Sequence, residues 1–376
     1  MNIGIVCYPT YGGSGVIATE LGKALSTKGY NIHFISHSRP ARLDHFSKNL
    51  HYHEVNLLDY PLFKYPPAEI AMATKIVNVA KFEKLDVIHV HYAIPHAYSA
   101  YMAKQILAAE GINLPFITTL HGTDITVLGR DASYEPAISF CINQSDKVTA
   151  VSEFLKNETF KYFKINRDIN VIPNFVDFNR FRIQNNTGVR ENFAENGEKI
   201  LVHTSNFRKV KRVQDVIKVF ERVREKMPAK LLFIGDGPER NNVEQACRET
   251  PYCKDVQFLG KIGAVEHVLS IGDLFVLPSG EESFGLAALE SMACGMPVVS
   301  SNTGGIPEVN IHGYSGYVSN TGDTDDMAQN AVEILGDDKK YQQFRENAFN
   351  RAQNFDIKAI LPQYEEVYAA SLSKLS

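Results

Sequence analysis

The 376-residue chain has no excess of positive charge, no long apolar run and few cysteines, and each shortage removes a class of function. Its 39 Lys and Arg against 43 Asp and Glu leave a formal net charge of −4. Phosphate backbones are held by basic surfaces, so this balance argues against a nucleic-acid partner. It provides no general attraction to anionic lipid either. Lys156, Lys161, Lys164 and Arg167 make one locally basic segment, interrupted by Glu158 and by aromatic residues. That segment reads as a solvated helix face, with membrane contact the lesser alternative. No apolar stretch is long enough to span a bilayer, so stable membrane insertion is not expected. Five cysteines at irregular spacing fit reduced thiols in a cytoplasm. Cys247 and Cys253 are the nearest pair, but no second pair or matching histidine set makes them a zinc site. The opening Met1-Asn2-Ile3-Gly4-Ile5-Val6-Cys7 lacks a basic leader and reads as a buried first strand.

What the chain does have is alternation. Short β-branched, apolar runs (Ile3–Cys7, Ile32–Ser36, Val87–His91, Phe116–Leu120, Lys147–Val151) give way repeatedly to amphipathic stretches. A second series follows at Ile200–Thr204, Leu231–Ile234, Leu274–Leu277 and Val298–Ser300. Runs apolar at every position are strands buried on both faces, as in a parallel sheet flanked by helices. The fold expected is α/β, with two doubly wound Rossmann-like domains facing across a cleft. Their expected limits are residues 1–172, joined by a returning helix in 356–376, and residues 173–355, with polar connector around Asn185-Asn186-Thr187-Gly188. Ligands of open parallel sheets sit beyond the C-terminal ends of the strands, and the suggestive motifs all follow strands.

Gly12-Gly13-Ser14-Gly15 follows the first strand and opens a helix, where free N–H groups favour anions and glycines permit close approach. Gly13-x-Gly15-x-x-Ala18 loosely fits a dinucleotide fingerprint. The acid such a site needs after the second strand is replaced by Ser36-His37-Ser38-Arg39, which weakens an NAD-dependent oxidoreductase. His89-Val90-His91 reads as a packed or hydrogen-bonded pair, and Tyr92 beyond it as the better site residue. His121-Gly122-Thr123-Asp124 offers a polar cluster for substrate hydroxyls, or else a turn capped by Thr123 or Asp124. Asn206-Phe207-Arg208-Lys209-Val210-Lys211-Arg212 follows another strand. A leaving diphosphate requires cations there, so Arg208 and Lys211 are expected toward ligand, Lys209 and Arg212 toward solvent. Glu282 is expected in a loop and Glu290 inward from a helix beginning near Phe284. A carboxylate among Leu286, Ala287, Ala288, Leu289 and Met292 is poorly explained as surface charge. Asp323-Thr324-Asp325-Asp326 looks like a metal-binding Asp-x-Asp but reads as a helix N-cap, and no metal site is expected.

Over nearly its whole length the chain resembles the retaining glycosyltransferases of family 4, which have the two-Rossmann GT-B architecture. The resemblance is carried by Glu282-Ser283-Phe284-Gly285-Leu286 with Glu290, by Cys294-Gly295-Met296-Pro297-Val298-Val299, and by Gly304-Gly305-Ile306-Pro307-Glu308. It implies that Glu290 holds the ribose of UDP. It further implies that Glu282, with the backbone of Phe284, Gly285 and Leu286, holds the donor sugar and diphosphate. Lys211 would bind phosphate, His121 would meet the sugar near its anomeric centre, and Lys261 and Ile262 would lie beside the uracil; His121, Glu282 and Lys211 are the implied catalytic set. Gly13 and Gly15 join the nucleotide-sugar set. Asn206 stands where many members carry arginine, and Arg208 is the candidate to replace that cation. Further motifs narrow the resemblance to enzymes that transfer N-acetylglucosamine from UDP-N-acetylglucosamine to L-malate, the first step of bacillithiol biosynthesis. They are Cys7-Tyr8-Pro9, Phe63-Lys64-Tyr65-Pro66-Pro67, His89-Val90-His91-Tyr92 and the segment Leu120 to Gly129. Ser14, Tyr92 and Thr123 are then donors to the acceptor, with Lys64 and Arg42 for its carboxylates. No cofactor or metal is implied, self-association is left open, and the alternative is a relative with a lipid or polysaccharide acceptor.

Overall fold

The computed structural model describes residues 1–44, 47–57, 62, 64–184 and 186–373. Phe63 and Asn185, named above, lie outside them. The chain forms two compact units, Met1–Asn174 with Ile357–Ser376, and Phe175–Asp356.

The first unit is built on a seven-stranded sheet. In chain order its strands are β1 Asn2–Val6, β2 Asn31–Ser36, β3 Leu50–Glu54, β4 Val87–His91, β5 Phe116–Leu120, β6 Lys147–Ala150 and β7 Ile169–Val171. The order across the sheet is β3-β2-β1-β4-β5-β6-β7, and every pairing is parallel. The central strands β4 (Val-Ile-His-Val-His) and β5 (Phe-Ile-Thr-Thr-Leu) are buried at every position. Edge strand β3 (Leu-His-Tyr-His-Glu) is half-exposed and carries no apolar run, which is why pattern reading passes over it. The helix Ile357–Leu372 packs on this unit through Ile360, Leu361, Tyr364, Val367 and Tyr368. Tyr368 Oη lies 2.8 Å from His89 Nδ1, and Glu365 takes Lys28 Nζ at 2.5 Å and the Tyr30 hydroxyl at 2.9 Å.

The second unit holds β8 Lys199–Ser205, β9 Ala229–Gly235, β10 Val256–Phe258, β11 Leu274–Leu277, β12 Val298–Ser301 and β13 Gly316–Ser319, again all parallel, ordered β10-β9-β8-β11-β12-β13. Its helix Val213–Arg224 buries Val213, Val216, Ile217, Phe220 and Val223, the spacing that turns one face to the sheet. A fully buried Phe such as Phe220 contributes roughly 1.5–3 kcal/mol over an exposed one. The polar connector contains a short helix, Thr187–Glu191. Asp323 is an N-cap, its Oδ1 accepting from Asp326 N at 3.0 Å.

One expectation is overturned. Cys247 and Cys253 are joined in a disulfide, because the turn after the helix Arg240–Glu249 returns their Cα atoms to 5.1 Å. Cys7, Cys141 and Cys294 are free and buried, and burial pushes each thiol up to about 12.

Candidate functional site

Each sheet reverses its winding once, between β1 and β4 in the first unit and between β8 and β11 in the second. The loops leaving such a pair of strands separate in opposite directions and open a crevice, where ligands of these sheets bind. Residues 12–15 after β1, Tyr92 after β4, the run 206–212 after β8 and Glu282 after β11 lie on these loops, while His121 follows β5, Lys261 follows β10 and Gly304 follows β12.

In the first unit, β1 runs into the turn before the helix Gly13–Thr27. That helix has no acidic residue in its first turn and no side-chain cap. A Cβ on Gly15 would stand 2.5 Å from the carbonyl oxygens of both Tyr8 and Thr10, so the loop closes over the helix start only because this residue is glycine. From the other side of the crevice comes Tyr92, just past β4 at a positive φ of 93°. Its hydroxyl donates to Ser14 Oγ at 2.8 Å and ties the two loops together. Burial pushes the Tyr92 hydroxyl up to about 12, so it remains a donor at neutral pH.

Beside it His121, at the end of β5, lies with its Nε2 2.7 Å from His91 Nδ1 and its ring 5.4 Å from that of Tyr92. Burial and the neighbouring histidines lower His121 to about 3 and His91 well below its ordinary value, so both imidazoles are neutral at pH 7. His89 is a packing residue, with Nε2 2.7 Å from Thr119 Oγ1 and Nδ1 on Tyr368. Asp124 was read as a possible cap, but its buried carboxylate does more. It accepts from Ala93 N at 2.8 Å and Gly122 N at 3.1 Å, locking the β4 loop to the β5 loop. Burial raises it to about 6 against the pull of those N–H groups. Thr123 is half-buried and hydrogen-bonds Tyr92. Of the residues named for acceptor carboxylates, Lys64 is exposed with its Nζ over the ring of Tyr65. Arg42 is half-buried at a φ of 64°, and its carbonyl accepts from Lys23 Nζ at 3.3 Å.

In the second unit, Lys211 and Glu282 meet from opposite sides of the crevice. Lys211 Nζ donates to Glu282 Oε2 at 2.5 Å, both side chains being about one-fifth exposed (20% and 17%). Each comes from a turn that the backbone pins: Gly280 N donates to Val210 O at 2.7 Å, and Gly305 N to Glu282 O at 2.9 Å. Gly304, at a φ of 58°, lies so close that a Cβ would stand 1.7 Å from the Glu282 carbonyl oxygen. The Gly304-Gly305 signature is therefore the seat of the Glu282 loop. Asn206, Arg208 and Lys209 are exposed on the first turn. Arg212, expected toward solvent, has a side chain 39% exposed; it also pairs with Asp215 at 2.5 Å and packs by Gly280 and Gly322. The helix after the Glu282 loop is Leu286–Ala293, with Gly285 as N-cap at a φ of 99°. Glu290 is buried on it and Phe284 is buried against Phe355, while Leu286 is half-buried. Lys261 is exposed and Ile262 half-buried after β10, in a turn held by Gly235 N donating to Gly260 O at 2.8 Å. His203 was not foreseen; its ring lies beneath the cation turn, hydrogen-bonded to Ser205 Oγ at 2.8 Å, with burial and Lys211 lowering it to about 4.

Comparison with known proteins fits this division. A profile for Glycosyltransferase Family 4 matches residues 11–180, and one for Glycosyl transferases group 1 matches residues 186–351. N-acetyl-alpha-D-glucosaminyl L-malate synthase of Bacillus anthracis is 46% identical over 370 residues, 98% of this chain and 96% of that protein. Among solved structures, sucrose-phosphate synthase from Thermosynechococcus elongatus superposes with a TM-score of 0.81 at 20% identity, covering 100% of both chains. Anabaena HepE in complex with UDP and glucose gives 0.81 at 19% identity, covering 98% of this chain and 99% of its own. The chain therefore belongs to glycosyltransferase family 4, and its two Rossmann-like domains are those of the GT-B fold.

Proposed function

We propose that the chain is a retaining glycosyltransferase that moves N-acetylglucosamine from UDP-N-acetylglucosamine to the hydroxyl of L-malate, in the cytoplasm and without a metal. The observation that carries the choice of substrates is the 46% identity, over 98% of the chain, to a protein named for that product. No helix of the described residues is long and apolar enough to cross a membrane, in keeping with two small, polar substrates.

In this reading Glu290 accepts from the ribose hydroxyls, and the N-terminus of the helix Leu286–Ala293 faces the diphosphate. Lys211 leaves Glu282 for the phosphate oxygens, and Glu282 accepts from a hydroxyl of the sugar. Each such charge-assisted bond is worth about 1.5–3 kcal/mol. Lys211 counts toward rate so far as it binds the diphosphate more tightly once its charge has developed. The malate oxygen bonds to the anomeric carbon on the face that UDP leaves. The bond from that carbon to the diphosphate oxygen breaks, and the hydroxyl proton passes to the departing phosphate. His121 has too low a proton affinity to be the acid. With Nε2 engaged by His91, it offers Nδ1 to the sugar near the reacting carbon. Tyr92, Ser14 and Thr123 donate to malate, with Lys64 and Arg42 assigned to its carboxylates.

The test is UDP release from UDP-N-acetylglucosamine with and without L-malate, in the presence of a chelator, with the anomeric configuration of the product read by NMR. Malate-dependent release giving the α product is expected. Release indifferent to malate would overturn the acceptor, and a β product or an added requirement for divalent metal would overturn the mechanism.

A further inference from the structure

Away from the crevice, the first unit holds a cluster that glycosyl transfer does not use. His33 on β2, His53 on β3 and Glu83 at the end of the helix Ala68–Glu83 each bring one ligand atom to a common point, all within 4.8 Å of one another. His33 Nδ1 and His53 Nε2 are 3.0 Å apart. Two ligands on a tetrahedral ion at about 2.0–2.1 Å stand roughly 3.3 Å apart, so a small change would seat one.

The sheet makes this cluster by register. His33 pairs with His51 and Ile35 with His53, so the three imidazoles share one face of a parallel pair. His51 stacks on His33 with centroids 4.6 Å apart and planes 14° apart, backing the ring that would be the innermost ligand. His33 is buried, while His53 and Glu83 are half-buried, which leaves an open side for entry and for a water as fourth ligand. Glu83 is the last residue of its helix, where the dipole disfavours a carboxylate and a bound cation would offset that cost. Lys75 of the same helix acts on His53 in the opposing sense and limits the affinity.

We propose that His33, His53 and Glu83 bind one divalent transition-metal ion, which fastens edge strand β3 and the end of the helix Ala68–Glu83 to the sheet. Two imidazole nitrogens and a carboxylate suit zinc, cobalt or nickel, and exclude magnesium and calcium, which take oxygen ligands. Glu83 ends its helix just before β4 begins, and His33 and His53 lie at the β3 edge of the sheet, so this site is apart from the loops that carry Ser14, Tyr92 and His121. The ion is structural, and the inference is independent of the glycosyltransferase reading.

The experiment uses the full chain, without a histidine tag, stripped by chelator and titrated with Co2+. One Co2+ per chain is expected, with visible absorption of a four-coordinate ion, displaced by Zn2+ and not by Mg2+. His53→Gln and Glu83→Gln, both at half-buried positions that tolerate an amide, should each weaken Co2+ binding at least about 10-fold. Zn2+ should raise the melting temperature of the wild type but not of His53→Gln. Turnover of the transferase should be the same in both variants as in the wild type. No saturable Co2+ binding would overturn the proposal, as would equal affinity in the wild type and both variants, or displacement by Mg2+.

Discussion

Glu290 and Lys211 differ in what surrounds them, and so in what their loss should do. Glu290 is buried on its helix, and Lys211 reaches its partner across the crevice between two turns. If Glu290 holds the ribose, Glu290→Ala should weaken UDP itself, on the order of 10-fold to 100-fold for a lost pair of hydrogen bonds to a charged group. Lys211→Met should do the same through the phosphates and should also lower turnover, where charge on the leaving group develops. Glu282→Gln should leave UDP affinity near that of the wild type and reduce turnover of the sugar nucleotide. Calorimetric UDP binding beside steady-state kinetics separates the three. Unchanged UDP affinity in Glu290→Ala would remove the ribose role, and a Glu282→Gln variant as weak for UDP as Lys211→Met would make Glu282 a phosphate-loop residue only.

At the scale of elements, the second crevice is a set of turns held by glycines whose missing side chains are filled by another loop's backbone. Gly304 is the clearest case. Gly304→Ala puts a methyl into the Glu282 carbonyl as well as demanding a left-handed φ of 58°. Gly29→Ala asks for a positive φ of 93° with nothing within 4 Å of the new methyl, so it isolates the dihedral cost of about 1–2 kcal/mol. The expectation is that both variants lose some thermal stability, whereas only Gly304→Ala loses kcat/KM, by more than about 10-fold, through displacement of Glu282. Equal activity in the two would mean that the loop does not depend on this contact. These elements also mark what the sequence could and could not reveal. The buried parallel strands were legible because runs such as Leu274–Leu277 have no polar side to offer water. Edge strands β3, β7, β10 and β13 were not, being three to five residues long and half-exposed in part. Glu282 and Glu290 stood out as carboxylates in apolar surroundings, but the Lys211–Glu282 pair spans 71 residues and needs the sheet order to appear. The His91–His121 contact and the Ala93 N–H bond to Asp124 likewise come from β4 and β5 lying side by side. A His-Gly-x-Asp string with its aspartate two residues past a glycine was the one local signal for the latter, and a cap explains such a string equally well.

A group of buried histidines in the first unit sets how the chain should respond to acid. His89, His91 and His96 are buried in the first unit, where desolvation takes His89 to about 3 and His96 to about 4, with His91 well below its ordinary value. Their unfolded values lie near 6.5, so between that pH and their folded values the folded state binds fewer protons than the unfolded one. A lowered folded value means stability that is present above about 6.5 and is lost as pH falls. By pH 5 His89 and His96 each cost about 2 kcal/mol, roughly 4 kcal/mol together, and His91 acts in the same direction. Asp124 runs the other way. Its value is raised to about 6, so its destabilising charge is relieved as pH falls through that value. It returns roughly 1 kcal/mol by pH 5, too little to offset the imidazoles. Set against a whole stability of roughly 5–15 kcal/mol, the net loss is large. The melting temperature should therefore fall by on the order of 10 °C or more between pH 7 and pH 5. Unfolding near pH 5.5 should be accompanied by net proton uptake, measurable by calorimetry in buffers of different ionisation enthalpy. His89→Gln, which can keep a hydrogen bond to Tyr368 or Thr119, should flatten the pH dependence by about one proton's worth. A melting temperature that is level from pH 7 to pH 5, or proton release on unfolding, would show that these imidazoles are not held neutral by burial.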